Sequence, residues 1–225
     1  MSRFRLCALA AALAALALSA PGEAASRSKL CRQAPCHVVL RDGPITVVRA
    51  VARLNERHPN VEPFLRTIAC WRSRNTCKWL GDETQDTLGL TARPLASAGR
   101  FLVYGLRIAG KEGPDPWRVC RLDVATGRLE MVGSPGGFFS LHGGLLSIVV
   151  TPSGGVGWIA GGEALYPVPG GEPVVSSARQ VYALPSGSRT PRLLASSPAV
   201  EAGSLAASDN RLYWSEGGAA KEAPL

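Results

Sequence analysis

A strand–turn–strand unit recurs along this chain, and it limits the folds open to it more than any other feature. Val149-Val150-Thr151-Pro152-Ser153-Gly154-Gly155-Val156-Gly157-Trp158 and Leu205-Ala206-Ala207-Ser208-Asp209-Asn210-Arg211-Leu212-Tyr213-Trp214 share one plan. Each has an apolar start, a small polar turn holding Gly or Asn, an alternating strand and a Trp, and each then reaches a Gly-Gly pair. Leu95 to Tyr104 follows the same plan, one residue shorter. A turn that needs φ > 0 explains the Gly and Asn. A second unit alternates with the first. Val119 to Val132 reads as a strand, a D-x-x-T-G-R turn and a returning strand, and Val181 to Leu194 repeats it. Ile68 to Gly81 is a third copy, in which Asn75 aligns with Gly127, and Cys70 and Cys77 align with Leu122 and Leu129.

Two alternating hairpins make a four-stranded sheet, and the spacing of Leu95, Val149 and Leu205 sets a period of about 50 residues. The one helix candidate is short, Ala50 to Arg57, cut off by Pro59. The expected class is therefore all-β. The pattern L-A-x-x-x-x-R-L-x-W … V-x-x-L-D-x-x-T-G-R resembles β-propeller repeats of the WD40-like, TolB-like and PQQ-like sort, as in exported proteins of high-GC bacteria. The resemblance runs from roughly Phe64 to Gly218, and no WD dipeptide marks the blade ends. It implies a propeller-like array of about three to four four-stranded antiparallel blades, small or incomplete. A hairpin at 37–51, signalled by Asp42-Gly43, belongs to a basic N-terminal segment, 25–63, and supplies a further half-blade on the larger count. The repeats then occupy 64–218, and 219–225 reads as a C-terminal tail. An incomplete ring leaves strand edges that a second copy of the chain would cover.

The first residues have a separate role. Arg3 and Arg5 precede the apolar run Leu6 to Leu18, and Ser19 to Ala25 is rich in small residues. That order reads as a secretory signal peptide over 1–24, cleaved after Ala24. The run is shorter than the ~20 residues of a membrane span. The chain is thus expected to be secreted, periplasmic or held in the cell envelope, with no transmembrane helix after cleavage.

Export changes how the six Cys are read. With Cys7 in the leader, close pairs suggest disulfides in an oxidising compartment. Cys31 and Cys36 flank a small loop, and Cys70 and Cys77 face each other across a hairpin on the repeat alignment. Cys120 is left over and is expected to be buried among apolar residues. Zinc is the alternative for the two pairs, although neither has C-x-x-C spacing. The formal charge of +8 is concentrated too. Eleven Lys/Arg against three Asp/Glu lie between Arg27 and Lys78, and twelve against thirteen lie from Trp79 onward. A basic segment suits an anionic polymer of the envelope, while alternation with strand formers fits a solvated sheet face. No nucleic-acid motif is present.

No residue cluster specifies a reaction. His37, His58 and His142 lie in no H-E-x-x-H frame, and neither a G-x-S-x-G elbow nor a P-loop occurs, so no catalytic residue, metal ligand set or cofactor is assigned. His142, in a Gly-rich connection, and the carboxylates Asp82 and Glu83, followed by Asp86, are the candidates for a site in a central channel. The five Trp fall at strand positions, with Trp158 and Trp214 equivalent and expected in the core. Two readings follow. One is a non-enzymatic exported module that binds a protein or an anionic envelope polymer. The other is a propeller enzyme or carbohydrate-binding protein with His142, Asp82 and Glu83 in one pocket.

Overall fold

The structure, a computed structural model, describes residues 35–52, 64–71, 76–83, 90–108, 117–133, 144–161, 164–166 and 174–225. Among these residues every regular element is a strand. The first sheet is a meander of β1 (Cys36–Asp42), β2 (Ile45–Ala52), β3 (Phe64–Trp71) and β4 (Thr76–Glu83). The second runs in the same order through β5 (Leu90–Ala98), β6 (Phe101–Ile108), β7 (Trp117–Asp123) and β8 (Arg128–Gly133). The third holds β9 (Gly144–Val150) and β10 (Val156–Gly161), then β13 (Arg179–Leu184) and β14 (Arg192–Ser197). Between β10 and β13 the chain forms a separate ribbon of β11 (Ala164–Tyr166) and β12 (Val174–Ser176). The fourth sheet has three strands, β15 (Ala206–Ser208), β16 (Arg211–Glu216) and β17 (Ala219–Pro224). All pairings are antiparallel.

The repeated turns form where their chemistry asks for them. Gly99 (φ +58°), Gly154 (+91°), Asp209 (+48°) and Asn210 (+62°) occupy the left-handed region at the tips of the first hairpins. Gly127 (+75°) and Gly187 (+77°) do the same in the second hairpins. Asp123 accepts from the Ala125 amide at 2.9 Å, which fixes the D-x-x-T-G turn.

Three expectations need correction. A boundary at residue 63 divides one sheet: β2 pairs with β3 along its whole length, from Ile45↔Trp71 to Ala52↔Phe64, so the hairpin at 37–51 joins the first repeat as on the larger count. Ala50 to Ala52 continue β2, so no helix begins at Ala50; β-branched Val47, Val48 and Val51 favour the strand. The 219–225 stretch is no tail, because β17 pairs with β16 from Glu216↔Ala219 to Arg211↔Pro224.

The sheets stack face to face in chain order. Ile45, Val47, Ala69 and Trp71 of the first meet Leu102, Tyr104, Cys120 and Leu122 of the second. Val103, Val119 and Val132 of the second meet Val156, Trp158 and Leu184 of the third. Ile159, Val181 and Ala183 of the third meet Leu212, Trp214 and Leu225 beyond. Trp158 stacks on Tyr182 with ring centroids 5.3 Å apart. At roughly 25 cal/mol per Å² of apolar surface buried, these three seams supply the main force holding the sheets together. The initial strands of successive sheets also lie side by side, β1 with β5, β5 with β9 and β9 with β15. Polar bonds tie neighbouring sheets near the tight turns: Ser97 Oγ donates to Asp42 at 2.8 Å, Lys78 Nζ to the Gly127 carbonyl at 2.9 Å, and Ser153 Oγ to Asn210 at 2.6 Å.

Candidate binding face

Alternation along β4 decides what its carboxylates can do. Successive residues of a strand point to opposite faces, and Asp82 and Glu83 are successive. Asp82 pairs across the sheet with Arg66, accepting from Nε and Nη2 at 2.9 Å each. Glu83 lies on the other face, 3.4 Å from Arg49 Nη2. Each carboxylate is neutralised by its own guanidinium, and the two do not converge. His142 and Asp86 lie outside the described residues. Among the described residues no group of three or more His, Cys, Asp or Glu is placed to hold a metal ion.

The cysteines divide as the hairpin geometry requires. Cys70 and Cys77 are direct register partners with Cα atoms 4.0 Å apart, and they form a disulfide. Their equivalents Leu122 and Leu129 are partners as well. The bond removes both thiolates from any zinc set. Cys36 is also disulfide-bonded; Cys31 lies outside the described residues. Cys120 is a buried free thiol. Burial pushes its pKa up to about 11, against the pull of its hydrogen bond with Tyr104 and of Arg118.

The face of the first sheet turned away from the second carries two exposed large apolar residues, Val38 and Trp79. Cross-strand registers place three rows on it. The middle row runs Val38, Val48, Ile68, Trp79, one residue from each strand. On one side lies the row Cys36, Ala50, Arg66, Asp82; on the other lies Arg41, Thr46, Cys70, Cys77. At about 4.8 Å between strands the middle row spans roughly 14 Å. Its ends are open, with Val38 51% and Trp79 48% exposed, whereas Val48 and Ile68 are buried.

A β-bulge completes this face. Trp79 and Asp82 are three apart, a spacing that normally separates side chains onto opposite faces. The register slips between Thr67 and Ile68, opposite Leu80, and the extra residue returns Asp82 to the face of Trp79. Trp79 Nε1 then donates to Asp82 Oδ1 at 2.8 Å. Leu80, the residue absorbed by the bulge, is buried toward the second sheet. Arg66 lies over the buried ring of Phe64, its guanidinium carbon 5.1 Å from the centroid. The hydrogen bond with Asp82 raises the Arg66 pKa above its ordinary value despite the opposing effect of burial. An indole, a carboxylate and a guanidinium are thereby joined by hydrogen bonds at the sheet surface. Sequence reading missed this cluster because no local pattern announces a bulge; the unusual Trp-x-x-Asp spacing on a predicted strand is the trace it leaves.

No protein-family model matches the chain, and no curated protein matches it.

Proposed function

We propose that the chain is an exported, propeller-like β-sheet array that binds an anionic polymer of the cell envelope and performs no chemistry on it. The observation that carries this reading is that Val38 and Trp79 are open on a sheet face built within the segment Arg27 to Lys78 and its continuation in β4, where the sequence concentrates its surplus positive charge. Arg41 lies beside that row on the same face. A basic segment attracts a polyanion over roughly 10 Å at 0.1 M salt, and the open Val38 and Trp79 side chains offer it apolar surface. The face-to-face stacking of the sheets and the adjacency of their initial strands support the propeller-like arrangement. The apolar run Leu6 to Leu18 behind Arg3 and Arg5, together with the Cys70–Cys77 disulfide, supports export.

The enzyme reading looked to His142, Asp82 and Glu83 for one pocket, and the opposed orientation of Asp82 and Glu83 favours the binding reading over it. The test is retention of the full chain on immobilised dextran sulfate across a salt gradient. Retention that falls as salt rises, and that weakens in Arg41→Ala, is expected. Passage through the column at low salt refutes the polymer reading.

A further inference from the structure

We infer that the Trp79–Asp82–Arg66 cluster is a subsite for a sugar ring, so that the polymer taken up by this face is a polysaccharide. The inference rests on the binding-module reading above and adds the chemical class of the ligand.

Three observations lead to it. The first is the indole itself. Trp79 is 48% exposed on an edge strand, and it continues a row that ends on equally open Val38. Ile68 and Val48 between them are buried, so the open apolar surface at this end of the row is the Trp79 ring itself. The second is that the ring is fixed. Its Nε1–H is held by Asp82, which is itself held by both the Nε and the Nη2 of Arg66. Freezing an exposed aromatic side chain costs conformational entropy, and a ligand that stacks on it is spared that cost at binding. The third is the bulge, a local departure from regular pairing whose effect is to bring Asp82 beside Trp79.

The chemistry of the cluster selects a sugar over other planar or apolar ligands. One face of a pyranose ring presents C–H bonds, which pack on the electron-rich face of an indole. Its rim presents hydroxyls, which donate and accept together. Asp82 offers acceptor lone pairs, and the Nη1 of Arg66 lies outside its pairing with Asp82 and offers donors. The guanidinium and carboxylate cancel in charge, so this subsite needs no charge on the ring itself. The surplus positive charge of the segment Arg27 to Lys78 acts on the polymer as a whole, and the cluster acts on one residue of it.

The experiment is a titration of the full chain with chitotetraose and with cellotetraose, both uncharged, followed by tryptophan emission and by calorimetry at low and high salt. Binding of at least one of them is expected, with little dependence on salt. Trp79→Ala is expected to weaken it at least tenfold, and Trp79→Phe, which keeps a stacking face, is expected to retain part of it. Met131→Ala, at a 72% exposed position on β8 of the second sheet, is expected to bind as the unsubstituted chain does. Unchanged binding by Trp79→Ala overturns the inference. So does failure of the unsubstituted chain to bind either sugar; if it is still retained on dextran sulfate, the polyanion reading stands and only the sugar subsite falls. Should Trp79→Ala lose its fold, the graded response of Trp79→Phe decides the matter: affinity equal to that of the unsubstituted chain, or total loss in a folded variant, counts against stacking.

Discussion

Arg121, on β7 of the second sheet, donates from Nη1 to the carbonyl oxygen of Gly154, in the turn between β9 and β10 of the third. The same guanidinium donates from Nε and Nη2 to Oε2 of Glu130 on β8. A single buried side chain thus joins two strands of one sheet to the turn of the next. Gly154 accepts this contact at φ +91°, and a Cβ there would fall 2.8 Å from the Phe101 ring. Replacing Arg121 by Ala leaves the Gly154 carbonyl without this donor and Glu130 Oε2 without its partner, while Oε1 keeps Arg128 at 2.8 Å. The expected loss is about 2 kcal/mol, the scale for leaving a buried acceptor without its hydrogen bond. Urea denaturation measures it, with Arg128→Ala, at an exposed position, as the near-neutral comparison.

Glu130 carries a pH signature of the same contact. The Arg121 hydrogen bond, partly offset by burial and aided by the nearby charges of Arg121, Arg128 and Arg189, lowers its pKa from the ordinary value of 4.5. The folded state therefore holds this proton less tightly than the unfolded chain. Its contribution to stability is complete above the unfolded pKa and is lost as pH falls through the folded one. Stability measured from neutral to about pH 3 is expected to fall more steeply in the unsubstituted chain than in Glu130→Gln. Parallel curves would assign the acid sensitivity to other groups.

Close sheet packing predicts a severe effect from one added methyl group. Gly157, on β10, sits where a Cβ would lie 2.2 Å from Cδ1 of Leu212 on β16. Leu212 is itself buried and has little room to move. Gly157→Ala is expected to cost about 2 kcal/mol through overpacking. The double variant Gly157→Ala with Leu212→Ala is expected to recover part of that loss relative to additivity, as a thermal double-mutant cycle would show.

The cysteines give a chemical test. Cys120 is buried with a raised pKa, so in the native chain it is expected to resist a thiol reagent near pH 8 and to react only on denaturation. Replacing Cys70 and Cys77 together by Ser is expected to destabilise the chain by about 2 kcal/mol, the loop-closure value for so short a ring. Rapid labelling of native Cys120 would contradict its burial.

The periodic part of this architecture was legible in the sequence because turn chemistry is local. Gly99, Gly154 and Asn210 announce their turns, and the alignment of Cys70 and Cys77 with Leu122 and Leu129 announces a cross-strand pair. Weakly patterned strands were not legible. β17, Ala-Ala-Lys-Glu-Ala-Pro, has little strand propensity and is recruited by its hydrogen-bonded neighbour β16. The candidate site failed for a different reason. Asp82 and Glu83 were grouped by adjacency along the chain, yet in a strand adjacency sends side chains apart. The bulge at Leu80 then did the reverse, uniting Trp79 with Asp82 across a spacing that period-two reasoning would separate.

The seams between sheets have a consequence for how the molecule comes apart. Each seam joins a sheet only to the next in chain order, and among the described residues no core cluster unites the first sheet with the fourth. The energetics are then those of a short one-dimensional chain of coupled units, in which the terminal units have one neighbour and the inner ones two. Amide hydrogens of β6, β7, β10 and β13 should exchange slowest, and those of β16 and β17 fastest among the paired strands. Pulling the molecule from its ends should release it sheet by sheet, in a staircase of force peaks.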